Sequence, residues 1–373
     1  MGNSRRVCIT SIRRSVLNKI GRVRFLASVM AMGATGMSAP VVFAQSSVTI
    51  YGVADTYLEY SSNNRSAVAG DNSAKSAVKL TSAGLSGPRW GLRGVEDLGG
   101  GMKALFVLES GFNIDTGTMA DTSRLFNRQS FVGMESPYGR LTFGRQYTTF
   151  FDILANFTPL YYSGTYEPFS VLLGPLRVDN AVKYRIALGA LTAQAHYAFG
   201  EQPGSIQASA SWGGGVSYGS GPFAVSAIYD QGNGPDTAAG IAKSRKAAVA
   251  GTYTQGPIRL SAGYRWGKDV AANGATSSRD NMYWAGIGYQ IATPFGLTLA
   301  YYYDDIKSKA GVANPANPQQ YVLQGIYSLS KRTDVYGVAA YAKNSALNFA
   351  SLQTLAPGKT NQTGVALGIR HKF

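Results

Sequence analysis

The side chains best suited to metal binding, acid–base catalysis or nucleophilic attack are scarce in this 373-residue chain, which has two histidines and one cysteine. His196 and His371 lie far apart, and neither has a second His or Cys near it. That spacing offers neither a metal-ligand pair nor a nucleophile–base pair. The glycine-rich run Ser211-Trp212-Gly213-Gly214-Gly215 lacks dinucleotide-fingerprint spacing and falls inside an alternating segment, where close backbone packing accounts for it. No catalytic residue, cofactor or metal is expected. The unusual feature is a stretch, 146–177, QYTTFFDILANFTPLYYSGTYEPFSVLLGPLR, broken by Pro159, Pro168, Pro175, Gly164 and Gly174. At roughly 30 residues without a period it far exceeds the usual ~4–6-residue connection. It is rich in Phe, Tyr and Leu and poor in charge, which is the wrong composition for disorder. It must pack against something.

The segments around it alternate like β-strands. Ile258, Leu260, Ala262, Tyr264 and Trp266 oppose Arg259, Ser261, Gly263 and Arg265. Leu191, Ala193, Ala195, Tyr197 and Phe199 likewise alternate with Thr192, Gln194, His196 and Ala198. The pattern predicts strands at 48–60, 88–97, 102–113, 124–135, 139–147, 180–188, 190–200 and 208–218. It continues at 222–230, 244–255, 257–267, 279–290, 295–305, 319–330, 334–343 and 361–373. These sixteen can close antiparallel without an open edge, as lipid requires.

Alternation alone also fits a soluble sandwich with one wet face. Two features favour a membrane barrel: aromatics gather near strand ends, and short connections exchange with long polar ones at 61–76, 231–243, 268–278, 306–318 and 344–360. The expected fold is all-β, a 16-stranded antiparallel transmembrane β-barrel whose third long connection, 146–177, folds into the lumen and narrows it. Gly52 and Ala54, small on the outer face of the first strand, fit either a tight subunit contact or tolerated small residues facing lipid.

Residues 1–44 differ in composition from the rest. They carry Arg5, Arg6, Arg13, Arg14, Lys19, Arg22 and Arg24 without an acidic residue, then an apolar run from Phe25 to Met37 and the small-residue site Val42-Phe43-Ala44 before Gln45. This describes a secretory signal peptide cleaved between Ala44 and Gln45. The apolar run falls short of the ~20 residues of a spanning helix. Cleavage removes seven basic residues and Cys8, so 28 basic against 20 acidic residues remain in the barrel domain 45–373. Export and the scattering of those charges argue against nucleic acid.

Several blocks resemble the Gram-negative trimeric porins, especially the beta-proteobacterial branch. SSVTIYGVADTYLEY resembles that family's first strand, SGPRWGLRGVEDLGGGMKALFVLESGF its second and third, and RLFNRQSFVGM with YGRLTFGRQY its fourth and fifth. LSKRTDVYG resembles the last short turn and GIRHKF the terminal strand. The resemblance implies an outer-membrane homotrimer passing small hydrophilic solutes and ions, in contact with outer-membrane lipids and lipopolysaccharide. It also implies an assembly machinery that recognises the terminal Phe373.

Motif by motif, the resemblance places Arg89, Arg93, Arg128 and Arg145 on a lumenal arginine ladder, joined by Arg177, with Asp152 and Glu167 opposite on the inward connection. Each arginine taken singly also fits a solvated strand residue or, for Arg145, an anchor for the loop backbone. Val53 departs from members that carry a lysine after Tyr-Gly, which weakens the ladder by one charge. Asp55 and Glu59, lumenal by alternation, temper it further, leaving a mild anion preference. The alternative is a solute-specific channel, for example for an oligosaccharide, stacking sugars on Tyr161, Tyr162 and Tyr166. A barrel enzyme would need a nucleophile–base pair that is not evident.

Overall fold

The computed structural model describes residues 47–373. The proposed signal peptide, with Ala44 and Gln45, lies outside the described residues. Strands run β1 Ser47–Asn64, β2 Lys75–Ser82, β3 Arg89–Gly99, β4 Met102–Gly111, β5 Gln129–Ser136 and β6 Gly139–Tyr147. They continue as β7 Arg177–Leu188, β8 Leu191–Ala198, β9 Ser211–Ser220, β10 Phe223–Thr237, β11 Gly240–Gln255 and β12 Ile258–Val270. The last are β13 Thr276–Ala292, β14 Phe295–Lys309, β15 Gln319–Ser328, β16 Thr333–Lys343 and β17 Asn361–Lys372. All pair antiparallel with their neighbours, and β1 pairs with β17 from Val53 to Ser61, closing the cylinder.

The seventeen segments make sixteen staves, because β2 and β3 share one. The upper half of β1 pairs with β2 and its lower half with β3. Residues 61–76, expected as loop, therefore contribute to β1 and the start of β2. The second stave breaks at Gly84-Leu85-Ser86-Gly87-Pro88, where Asp55 accepts from the backbone N–H of Gly84 (3.1 Å), Leu85 (2.8 Å) and Ser86 (2.7 Å). A single carboxylate thus replaces the lost ladder bonds, as buried backbone donors require.

Burial is inverted relative to a soluble protein. Ile50 is 68% exposed, whereas Asp55 on the opposite face of the same strand is fully buried. Val48, Leu58, Leu80, Val132, Leu299, Leu323 and Leu367 are all exposed, while Glu109, Arg265, Gln320 and Gln324 are buried. An apolar outer band around a polar interior is the arrangement lipid selects. The turns at one end are short, among them Gly99–Met102, Gln255–Ile258 and Ala292–Phe295. The opposite end carries the longer connections.

Two of the expected long loops, 231–243 and 268–278, are instead extended hairpins, with β10 and β11 meeting at Thr237–Gly240 and β12 and β13 enclosing residues 271–275. Above the apolar band both strand faces are wet, so polarity stops alternating while the ladder continues.

Candidate functional site

The connection between β6 and β7 is 148–176 in the structure, bounded by Tyr147 and Arg177. It holds a short helix α1 (Thr149–Leu154), a 3-10 turn (Ala155–Phe157) and a second helix α2 (Phe169–Leu173). Thr148 caps α1, its Oγ1 accepting from Phe151 N at 3.1 Å. The apolar side chains that set this segment apart in the sequence, Phe150, Ile153, Leu154, Leu172 and Leu173, are buried.

The partners of this connection come from many staves, which places it inside the cylinder. α1 lies against β8–β10, where Gly215 leaves room for Ile153: a Cβ there would stand 2.8 Å from Ile153 Cδ1. His196 Nδ1 accepts from Thr149 N at 3.2 Å. Trp284 Nε1 donates to Phe157 O (3.1 Å), and Tyr302 Oη donates to Glu167 Oε1 (2.8 Å). Tyr166 Oη donates to Glu59 Oε1 at 2.9 Å, and Gln320 Nε2 donates to Tyr166 O. Ser163 and Thr165 both donate to Gly84 O at the broken stave. Arg259 donates to Asn156 O at 2.9 Å and lies 4.1 Å over the Tyr161 ring.

Between this connection and the wall remains an opening of about 360 Å³, lined by Ser86, Arg89 and Arg370 on one side and Phe151, Tyr161 and Tyr162 on the other. Arg128 Nε donates to Glu109 Oε1 at 2.7 Å and its Nη2 donates to Tyr147 Oη at 2.8 Å. Arg89 Nε is 3.5 Å from Glu109 Oε2, which also accepts from Tyr51 Oη at 3.1 Å. Arg177 donates to Tyr147 Oη at 3.2 Å, with its guanidinium 4.7 Å over that ring. Arg89, Arg128 and Arg177 are thus gathered around Glu109 and Tyr147, giving a local excess of positive charge.

The other expected residues fare differently. Arg93 lies further down β3, exposed, with its guanidinium 5.2 Å over Tyr51. Arg145 is drawn away from the opening: it donates to Asn127 O at 2.8 Å and to Asp179 Oδ1 at 2.5 Å, a loop-anchoring role. Asp152 pairs with Lys183 beside a second lumenal cavity of about 300 Å³. Glu167, expected to face the passage, is fully buried under Tyr302. The pattern of prolines around it could not show that its side chain turns into the wall. Of the three tyrosines considered for sugar stacking, Tyr166 is buried and Tyr161 is covered on one face by Arg259.

Sequence reasoning missed Glu109, Lys183, Arg370 and Tyr147. Glu109 was within reach: counting back from the turn at Gly99–Met102 sets it opposite Gly91, between Arg89 and Arg93. Lys183 and Arg370 come to the lumen through the register of distant staves.

Burial pushes the Glu167 carboxyl up to about 7, against the hydrogen bond from Tyr302 that lowers it. Its Oε2 has no partner. A carboxyl whose folded value is raised stabilises the fold fully below its unfolded value of ~4.5 and loses that contribution as pH rises through about 7. The thermal midpoint in detergent should therefore fall between pH ~4.5 and ~7, and Glu167→Gln should flatten that slope. An equal slope in both proteins would remove Glu167 as its source.

A closed cylinder with an apolar exterior, a polar interior and a passage narrowed by its own third connection is the architecture of an outer-membrane diffusion channel. Residues 27–347 match the Gram-negative porin family, and the chain belongs to it. It is 30% identical to an outer membrane porin protein of Bordetella pertussis, the alignment covering 88% of this chain and 95% of that one. Outer membrane porin protein 32 of Delftia acidovorans matches with the same identity and coverage. Among solved structures, the anion-selective porin from Comamonas acidovorans superposes with a TM-score of 0.75 at 28% identity, covering 88% of this chain and all of that one. A trimer form of OmpT from Vibrio cholerae shares the fold, with a TM-score of 0.66 at 18% identity, over 88% of this chain and 99% of that one. The protein is an integral outer-membrane β-barrel that forms a channel for passive diffusion.

Proposed function

We propose that this porin is a general-diffusion channel with a mild anion preference, whose narrowest point is bounded by Arg89, Arg128 and Arg177, with Arg93 further down the same wall. The observation that carries this is the pairing of Arg89 and Arg128 with the one carboxylate of Glu109, with Arg177 beside them on Tyr147 Oη. Arg370 adds a further cation, already paired with Asp334 at 2.6 Å. One unbalanced charge ~8 Å from an ion in water is worth about 0.5 kcal/mol, less in salt. An excess of two therefore biases the passage without closing it to cations. The anion selectivity of the Comamonas porin supports the same sign.

The reading includes a homotrimer, in keeping with the trimer form of the Vibrio neighbour. It further includes contact with outer-membrane lipids, recognition of Phe373 by the assembly machinery, export by a signal peptide at 1–44 and no catalytic step. His196, the one histidine of the lumen, is engaged in holding Thr149. The test is the reversal potential across a planar bilayer under a potassium chloride gradient, with conductance measured against a panel of sugars. An anion-favouring potential with unsaturated, sugar-insensitive conductance is expected. A cation-favouring potential overturns the charge reading, and block by one sugar replaces general diffusion with the solute-specific alternative.

A further inference from the structure

Beside α2, at the loop-bearing end, the lumen holds a cavity of about 640 Å³, walled by β11–β14, by Ser170 and Val171 of α2 and by the last long connection. That volume suits a small ligand. The cavity shares no lining residue with the narrow opening. Its charged lining is balanced: Lys246, Arg265 and Lys309 stand against Asp269, Asp280 and Asp304. Arg265 and Asp280 satisfy each other, Nη1 donating to Oδ1 at 2.9 Å and Nη2 to Oδ2 at 2.6 Å. Ser278 Oγ donates to Asp269 Oδ2 at 2.6 Å, and Lys309 is exposed to water.

Two charges of opposite sign are left over. Asp304 is 5% exposed, its Oδ1 has no hydrogen-bond partner, and among the described residues no cation pairs with it. Lys246 forms no salt bridge among the described residues, and its Nζ donates to Ser244 Oγ at a distant 3.5 Å. Gly174 gives that ammonium its place at the end of α2, since a Cβ there would stand 2.6 Å from Nζ. Charge taken out of water without a partner is costly. A ligand that brings the opposite charge to each end relieves both.

The register sets the length of that ligand. Lys246 pairs with Gly267, Gly267 with Asp280, and Asp280 with Ile306, two residues from Asp304 on the same face. Three stave intervals of ~4.8 Å separate the two backbones by about 14 Å. The lysine stem covers part of this, leaving the length of two or three residues of extended chain at ~3.4 Å each. The ligand's charges must therefore sit at the two ends of a chain, not on one carbon. Val171, Ile306, Phe349 and Leu352 make the rest of the lining partly apolar.

We propose that this cavity binds a short zwitterionic peptide of two or three residues, its N-terminal ammonium on Asp304, its C-terminal carboxylate on Lys246 and an apolar side chain against Val171 and Phe349. The site holds peptide at the outer mouth, ahead of the constriction, and goes beyond general diffusion without replacing it. A loaded site leaves the charges at the opening as they are, so its failure and that of the anion preference are read separately.

The test is a titration of the full-length protein in detergent with Ala-Leu-Ala, followed by saturation-transfer NMR, beside the N-acetylated and the C-amidated peptide. Each cap removes one charge and should weaken binding at least about fivefold. Asp304→Asn should weaken the free peptide by a similar factor and make N-acetylation indifferent, with the penalty for C-amidation still in place. Lys246→Gln should do the reverse. Each variant removes a charge that no protein group neutralises, so the folded, heat-modifiable band should persist. The peptide arms need no variant: equal binding of all three peptides by the wild type overturns the site, as does no binding at about 10 mM. A penalty for N-acetylation alone would leave a site for cations and overturns the zwitterion. Penalties that survive in the matching variants overturn the assignment to Asp304 and Lys246.

Discussion

Replacing Arg89 and Arg128 together with glutamine should abolish most of the anion preference while the barrel still assembles. Both guanidinium groups face Glu109, so their loss removes two positive charges and leaves that carboxylate with only the hydroxyl of Tyr51. Each charge changes the energy of an anion and of a cation in opposite directions. Two charges at ~8 Å therefore shift the anion-to-cation balance by about 2 kcal/mol in unscreened water. At ~0.1 M salt roughly half survives, equivalent to a permeability ratio changed by about fivefold. The reversal potential should move toward zero, and the shift should shrink as salt is raised. Lysine at both positions should preserve the wild-type sign. An unchanged potential in the glutamine variant would place the selective charges elsewhere, with Arg370 and Arg259 the next cations to test.

Gly52→Val should reduce correctly assembled barrel more than any other single change considered, with deletion of Phe373 close behind. Phe373 continues the seam beyond β17: Gly52 N donates to Phe373 O at 2.9 Å, and Phe373 N donates to Gly52 O at 3.1 Å. Its ring lies over Gly52, where a Cβ would meet Phe373 Cζ at 2.3 Å and Arg89 O at 2.6 Å. The ring can rotate away, but the carbonyl belongs to the β1–β3 ladder and cannot. Gly52 is therefore small for a reason inside the subunit. Deleting Phe373 forfeits two backbone bonds, about 1 kcal/mol each when water can replace them and several where it cannot. The heat-modifiable, folded band should fall below roughly a fifth of wild type for Gly52→Val. Gly52→Ala, which adds a single carbon, should be milder. Full assembly of the valine variant would show that the seam tolerates the contact. Full assembly without Phe373 would leave neither an assembly signal nor a structural need for that residue.

The barrel was legible because lipid imposes a strict rule on sequence. With water absent outside, every spanning stretch alternates and every stave must be paired, so period and turn spacing locate most of the strands without any knowledge of contacts. The same rule explains the errors. Alternation faded where β10–β13 rise above the apolar band, and paired strands passed for loops. The second stave hid its upper half behind a break that only Asp55 makes tolerable.

The constriction was legible only as a place. An aromatic, proline-broken connection without a period had to be buried, and within a closed cylinder the interior is where it can be. Which of its charges face water was not written in its composition. Asp152 and Glu167 are alike in sequence, yet one pairs with Lys183 at a lumenal cavity and the other is sealed under Tyr302.

By itself, then, the order of residues determined the periodic wall, the sign of the excess charge in the chain and the stretch that narrows the channel, since each follows from local pattern and the demands of lipid. The tertiary structure decided which arginines Glu109 gathers, which carboxylates are silenced and why Gly52 is small. Those depend on the register between staves distant in sequence. A shift of one residue there would turn each side chain to the opposite face of the wall.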